Sequence, residues 1–88
     1  MTREEIINKI LIFFRKEFEI ENPGMDDDLR EIYDFDSIDA IELLIEIENW
    51  LGTELTHEEK KKAMEIRTIN HICHYIEDLI GVRSAFAR

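Results

Sequence analysis

Tyr33-Asp34-Phe35-Asp36-Ser37-Ile38-Asp39-Ala40-Ile41-Glu42-Leu43-Leu44 is the stretch on which the fold turns. Within it an acidic loop becomes an amphipathic helix, and a serine stands between two aspartates at the junction. The helix is expected to start at Asp36 or Ser37, with Asp36 as cap and Asp39 in the first turn, where a carboxylate suits the positive end of the helix dipole. Winding residues 38 to 51 at about 100° per residue collects Ala40, Leu43, Leu44, Ile47, Trp50 and Leu51 in one buried arc. Asp39, Glu42 and Glu46 fall on the opposite side. Ile38 and Ile45 project beside those acids and read as exposed apolar side chains. Gly52 is placed to end the helix as its C-terminal cap.

Upstream, Thr2 followed by Glu5 is a capping-box pattern, and Ile6, Ile7, Ile10, Leu11, Phe14 and Phe18 recur at helical spacing. This predicts a first helix ending between residues 18 and 21. Asn22-Pro23-Gly24 breaks the pattern, because proline has no backbone donor and glycine frees the chain for a turn. A long loop follows. Leu29, Ile32, Tyr33 and Phe35 are apolar enough to pin it onto the bundle, whereas Asp26-Asp27-Asp28 reads as a solvated run. Loops longer than about 12 residues are usually functional or disordered, and this one delivers Ser37.

Downstream, Thr56 with Glu59 opens a short helix through Lys60-Lys61-Lys62 to Met64 or Ile66. Thr68 can cap a last helix on which Ile69, Ile72, Cys73, Ile76, Leu79 and Ile80 form the cleanest apolar stripe of the chain. Gly81 is expected to stop it, leaving residues 82–88 as a flexible tail. The fold class that emerges is all-α: a small four-helix bundle of three longer helices and one short, with a long first loop, in a single domain over residues 1–88.

Eighty-eight residues suffice for one small core. Eleven Lys and Arg against twenty-one Asp and Glu give a net charge of -10, which repels nucleic acid and anionic membrane and favours basic protein surfaces. The longest apolar run, Ile10 to Phe14, is far short of the roughly 20 residues that span a bilayer. With Cys73 as the only cysteine, no internal disulfide can form. A cytoplasmic monomer without membrane insertion is the expectation.

The charge is uneven: from Glu31 to Glu59 there are ten Asp or Glu and no Lys or Arg. A solvated face explains most acidic helices, but it does not explain Ile38 and Ile45 among the acids. An apolar contact rimmed by one sign of charge suits transient docking. Ser37 has a plain explanation as a first-turn residue, since Ser and Asp are common there for capping reasons. Catalysis fits it poorly, because the chain has no strand-turn-helix nucleophile elbow and the flanking carboxylates supply no base for the hydroxyl proton. Of the three histidines, His71 and His74 fall opposite the apolar stripe of the last helix, toward water. A calcium loop beginning at Asp34 fails at its sixth and twelfth places, which hold Asp39 and Ile45 where glycine and glutamate are needed. His71, Cys73 and His74 make no zinc site, as Cys73 faces the core and no second ligand pair is spaced to join them.

Asp36-Ser37-Ile38-Asp39, entering an acidic helix after a long loop, resembles the attachment motif of the acyl carrier protein family. The resemblance extends through Asp36 to Leu44, through Thr53-Glu54-Leu55 and through Thr68 to Ile76, in order along nearly the whole chain. It implies that Ser37, flanked by Asp36, Ile38 and Asp39, receives a covalent 4'-phosphopantetheine arm. A phosphopantetheinyl transferase attaches the arm from coenzyme A with magnesium, and the arm's thiol carries acyl groups as thioesters to synthases and acyl-transferring enzymes of fatty-acid, polyketide or related pathways. The implied protein is a carrier, not an enzyme. Its implied docking residues are Ile38, Asp39, Glu42, Ile45, Glu46 and Glu48, and Leu44, Ile47, Ile72 and Ile76 are candidates to line a sheltered acyl chain. The other reading of the same fold is an unmodified acidic docking or regulatory module. This chain departs from the family in having Tyr33-Asp34 where Leu-Gly is usual, and in a longer segment from Glu58 to Arg67 with three consecutive lysines. The longer segment points to a specialised carrier.

Overall fold

A computed structural model describes the backbone of residues 1–86 and the side chains of residues 1–83. The described residues form five helices and no strand: α1 (Arg3–Phe18), α2 (Leu29–Tyr33), α3 (Ser37–Leu51), α4 (His57–Ala63) and α5 (Ile69–Phe86). The all-α bundle read from the sequence is therefore the observed class, with one helix more than the pattern predicts.

The predicted caps form. Thr2 Oγ1 accepts from the Glu5 amide at 3.2 Å while Glu5 accepts from the Thr2 amide at 3.0 Å. Thr56 and Glu59 repeat this at the start of α4, at 3.2 and 2.9 Å. Thr68 accepts from the His71 amide at 3.1 Å to start α5. The lysine run falls in the last turn of α4 and the acids in its first, the distribution that complements a helix dipole. The buried stripes meet in one core that joins Ile6, Ile10 and Phe14 of α1 with Leu43 and Ile47 of α3 and Ile69, Ile72 and Ile76 of α5. Phe14 stacks on Phe35 with centroids 5.3 Å apart, and Phe18 meets both rings edge-on. The stack thereby pins Phe35, the residue before Asp36.

Four expectations change. The first loop contains α2, a single turn too short to show periodicity. Its start is marked by Asp28, whose carboxylate accepts from the amides of Arg30 and Glu31 at 3.0 and 3.1 Å. Asp26-Asp27-Asp28 is consequently more than a solvated run. Asp26 accepts from Asn70 Nδ2 at 2.6 Å, and Asp27 accepts from the Gly24 amide at 2.8 Å and from the Tyr33 hydroxyl at 3.2 Å. Of the apolar residues expected to pin the loop, Leu29 and Phe35 are buried and Tyr33 is half-buried, but Ile32 is exposed.

Finally, Gly81 does not stop the last helix, which runs on to Phe86. An interior glycine costs about 1 kcal/mol relative to alanine, and Arg83 offsets it. Its guanidinium donates to both carboxylate oxygens of Glu59 at 2.9 and 3.0 Å, to Thr53 Oγ1 at 2.6 Å and to the Glu54 carbonyl at 3.1 Å. A paired arginine fork of this kind is among the stronger polar contacts available to a protein. Val82 and Arg83 are thus helical instead of frayed; residues 87–88 of the expected tail lie outside the described residues.

Candidate functional site

The site is built on the first turn of α3. Asp36 is its N-cap: Asp36 Oδ1 accepts from the Asp39 amide at 2.9 Å, and Asp39 Oδ2 accepts from the Asp36 amide at 3.2 Å. This reciprocal pair settles which residue does the capping. The hydroxyls of Thr2, Thr56 and Thr68 are all consumed at helix starts, whereas Ser37 is the first residue inside α3, exposed, with no hydrogen-bond partner for its hydroxyl among the described residues. The sequence reads Asp36 as the cap and Ser37 as a first-turn residue, and the geometry agrees.

The approach to the site runs through a left-handed residue at the end of α2. Asp34, at the place where glycine is usual, caps α2 in the left-handed region with φ 55° and ψ 30°. That region costs most residues about 1–2 kcal/mol, with aspartate among the few that visit it routinely. Tyr33 replaces the usual leucine and is tied through its hydroxyl to Asp27; burial, first, and that contact push its phenol above its ordinary pKa.

Beyond Ser37, Ile38 and Ile45 are 67% and 54% exposed, as the helical pattern predicts, and Ile41 joins them at 53%. The three stand at i, i+3 and i+7, so they share one stripe. Ile41 is missing from the sequence reading because on a helical wheel it borders Leu44, at the edge of the buried arc; its spacing from Ile38 was the available signal. Glu42 is exposed beside the stripe, and Asp39 and Glu46 are half-buried. Glu48 differs from these: its Oε2 accepts from the Leu55 amide at 2.8 Å, fastening the α3–α4 turn. Leu44, Ile47, Ile72 and Ile76 all lie in the core, none more than 6% exposed.

Other reactive groups lie apart in role. Cys73 is fully buried, which pushes its thiol pKa up, and His57, His71 and His74 are exposed. His71 Nδ1 accepts from the Arg67 amide at 3.1 Å, a structural task at the start of α5.

Residues 8–76 match the family model described as "Phosphopantetheine attachment site", so the bundle is that of a phosphopantetheine-bearing carrier domain. Whole-chain similarity narrows the class. The chain is 33% identical over 79 residues to an acyl carrier protein of Lactobacillus johnsonii, covering 88% of this chain and 95% of that protein. It is 30% identical over 83 residues to one of Lactobacillus acidophilus, covering 92% of this chain and all of that protein, and similarly to acyl carrier protein 2 of Ralstonia nicotianae. The chain belongs to the acyl carrier protein family, and 4'-phosphopantetheine is the prosthetic group that this membership assigns to it.

Proposed function

We propose that Ser37 is the residue that carries the 4'-phosphopantetheine arm, and that the protein presents thioester-bound acyl groups to other enzymes without catalysing a reaction itself. The observation that carries this reading is the exposed Ser37 hydroxyl, left uncommitted because Asp36 and Asp39 cap each other. The residues fit the group: a phosphodiester on Ser37 sits at the positive end of α3, where helix starts favour phosphate. When bound, the arm supplies a thiol that exchanges acyl groups. The protein supplies position and recognition.

Recognition falls to the stripe of Ile38, Ile41 and Ile45 with Asp39, Glu42 and Glu46 at its edge, and with Glu48 adding charge while it holds Leu55. Partner enzymes with basic patches, the phosphopantetheinyl transferase first among them, are drawn by the acids and held briefly by the isoleucines. Leu44, Ile47, Ile72 and Ile76 are the side chains that part if an acyl chain enters the core. No helix among the described residues is long and apolar enough to cross a membrane. The test is intact-mass measurement after incubation with coenzyme A, magnesium and a broad-specificity transferase. The protein gains the mass of one arm and a Ser37→Ala variant gains none; equal gain by both, or gain by neither, defeats the assignment.

A further inference from the structure

A second recognition feature lies between α1 and α3. Lys9, Ile12, Phe13 and Lys16 recur on α1 at i, i+3, i+4 and i+7, and Glu42, Ile45, Glu46 and Trp50 share one side of α3. A cavity of about 280 Å³ between the helices and another of about 210 Å³ share Phe13, Glu17 and Glu46, and so form one groove. Lys9 falls at the Trp50 end and Glu17 at the Glu42 end, so the two helices run antiparallel along it.

The floor is aromatic: Phe13 and Trp50 meet edge-on with centroids 6.2 Å apart, both partly buried. Each wall has an exposed isoleucine at its middle, Ile12 at 45% and Ile45 at 54%. Lys9 and Lys16 flank Ile12; Glu42 and Glu46 flank Ile45. None of these four charges belongs to an ion pair among the described residues, where the pairs are Arg3 with Glu77 and Arg83 with Glu59. Glu17 extends the acidic side across the end near Glu42. The groove is thus apolar along its centre, acidic on its α3 side and basic on its α1 side up to Glu17, the one acid on that wall.

We infer that this groove binds an amphipathic helix of a protein partner. The partner helix lays its apolar stripe on Phe13 and Trp50, with basic residues on its flank toward α3 and acidic residues on its flank toward α1. Two antiparallel helices with aromatic anchors between them offer the shape that receives a helix, and partly buried aromatics are the residue type that concentrates binding energy. The crosswise charge fixes direction. Turned end for end, the same helix sets its acids against Glu42 and Glu46 and its bases against Lys9 and Lys16, which is repulsive on both sides. This goes beyond presentation of Ser37, since the α1 wall has no part in the attachment site.

Trp50 is the only tryptophan in the chain, so its emission reports occupancy directly. The probe is an 18-residue alanine-based helical peptide with a leucine stripe, lysines on one flank and glutamates on the other, titrated against the full-length protein. A control peptide keeps the leucine stripe but carries glutamates on both flanks, so that in either direction it sets acids against Glu42 and Glu46. The matched peptide is expected to shift Trp50 emission saturably and to bind about tenfold tighter than the control. The Glu42→Lys, Glu46→Lys variant, with folding checked by circular dichroism, presents lysines on both walls and is expected to invert that preference. Equal response to both peptides, no saturable response to either, or an unchanged preference in the variant overturns the inference. The assay needs no arm on Ser37, so its outcome is separate from that of the loading test.

Discussion

Asp39 returns to Asp36 the hydrogen bond it receives: amide to carboxylate in each direction, at 2.9 and 3.2 Å, across the first turn of α3. The pair anchors the helix start and spares Ser37 from doing so. Asp36→Ala is expected to lower stability by about 1 kcal/mol in urea unfolding and to slow arm attachment as the first turn frays. Asp36→Asn keeps a competent cap, so it is expected to retain stability. Loading kinetics of the Asn variant then isolate what the Asp36 charge contributes.

The left-handed Asp34 gives a second expectation. With φ 55° and an exposed side chain, Asp34→Gly relieves a conformational cost of about 1 kcal/mol, partly offset by the greater freedom of an unfolded glycine chain. A net gain of a few tenths to about 1 kcal/mol is expected in thermal unfolding, with attachment to Ser37 unchanged. A loss of stability shows that the Asp34 carboxylate has a structural task.

These residues also show what was legible in the sequence. Local signals came through: the capping boxes at Thr2 and Thr56, the Asp36 cap and the exposed Ile38 and Ile45 all follow from spacing within one or two turns. Contacts between distant segments did not. Asp26 with Asn70, or Arg83 with Glu59, join residues whose proximity exists only after the bundle closes, so the acids read as solvated and the last helix as ending at Gly81. Helix α2 lies between these cases, because Asp28 three residues before Glu31 is a start signal on an element too short to show a period. For Ser37 the structure adds a hydroxyl with no hydrogen-bond partner among the described residues, which spacing does not show.

Arg83 and Glu59 carry a pH dependence. The Arg83 hydrogen bonds, chiefly, hold the Glu59 carboxyl well below its ordinary 4.5, at about 2. A carboxylate with a depressed folded-state pKa contributes stability that is present above its unfolded value and lost as pH falls through the folded one. The pair is 22% and 17% exposed, and allowing for solvent screening its contribution is about 2 kcal/mol. Arg83→Met is therefore expected to unfold more easily at neutral pH. Its deficit against the parent should stay constant down to about pH 4.5 and shrink between there and about pH 2. Urea unfolding across that range measures it, and a deficit that does not change with pH assigns the Arg83 effect to packing.

Gly81 is the counterpart on the same helix. Nothing lies within 4 Å of the position a methyl group would take there, so Gly81→Ala gains helix propensity without a clash. A stabilisation of about 1 kcal/mol is expected, seen as a higher Tm. In an Arg83→Met background the gain should be smaller, because the last turns of α5 then fray in the folded protein and there is less helix for alanine to support.

The docking role proposed for the α3 stripe separates into two physical contributions that respond differently to salt. Glu42→Lys with Glu46→Lys removes charge that guides encounter, so arm attachment is expected to slow most at low ionic strength, where the screening length is longest, and to approach the parent rate as salt rises. Ile41→Ser removes apolar contact from a side chain that is 53% exposed; it should leave stability within about 0.5 kcal/mol and weaken the complex by faster dissociation at every salt concentration. Loading kinetics at two or more ionic strengths tell the two apart. If the double variant loads at the parent rate in low salt, the acids of α3 are only a solvated face; if Ile41→Ser loads normally, the stripe ends at Ile38 and Ile45. A salt-dependent deficit from the charges together with a salt-independent one from Ile41 is the signature of an encounter steered by carboxylates and completed on isoleucine.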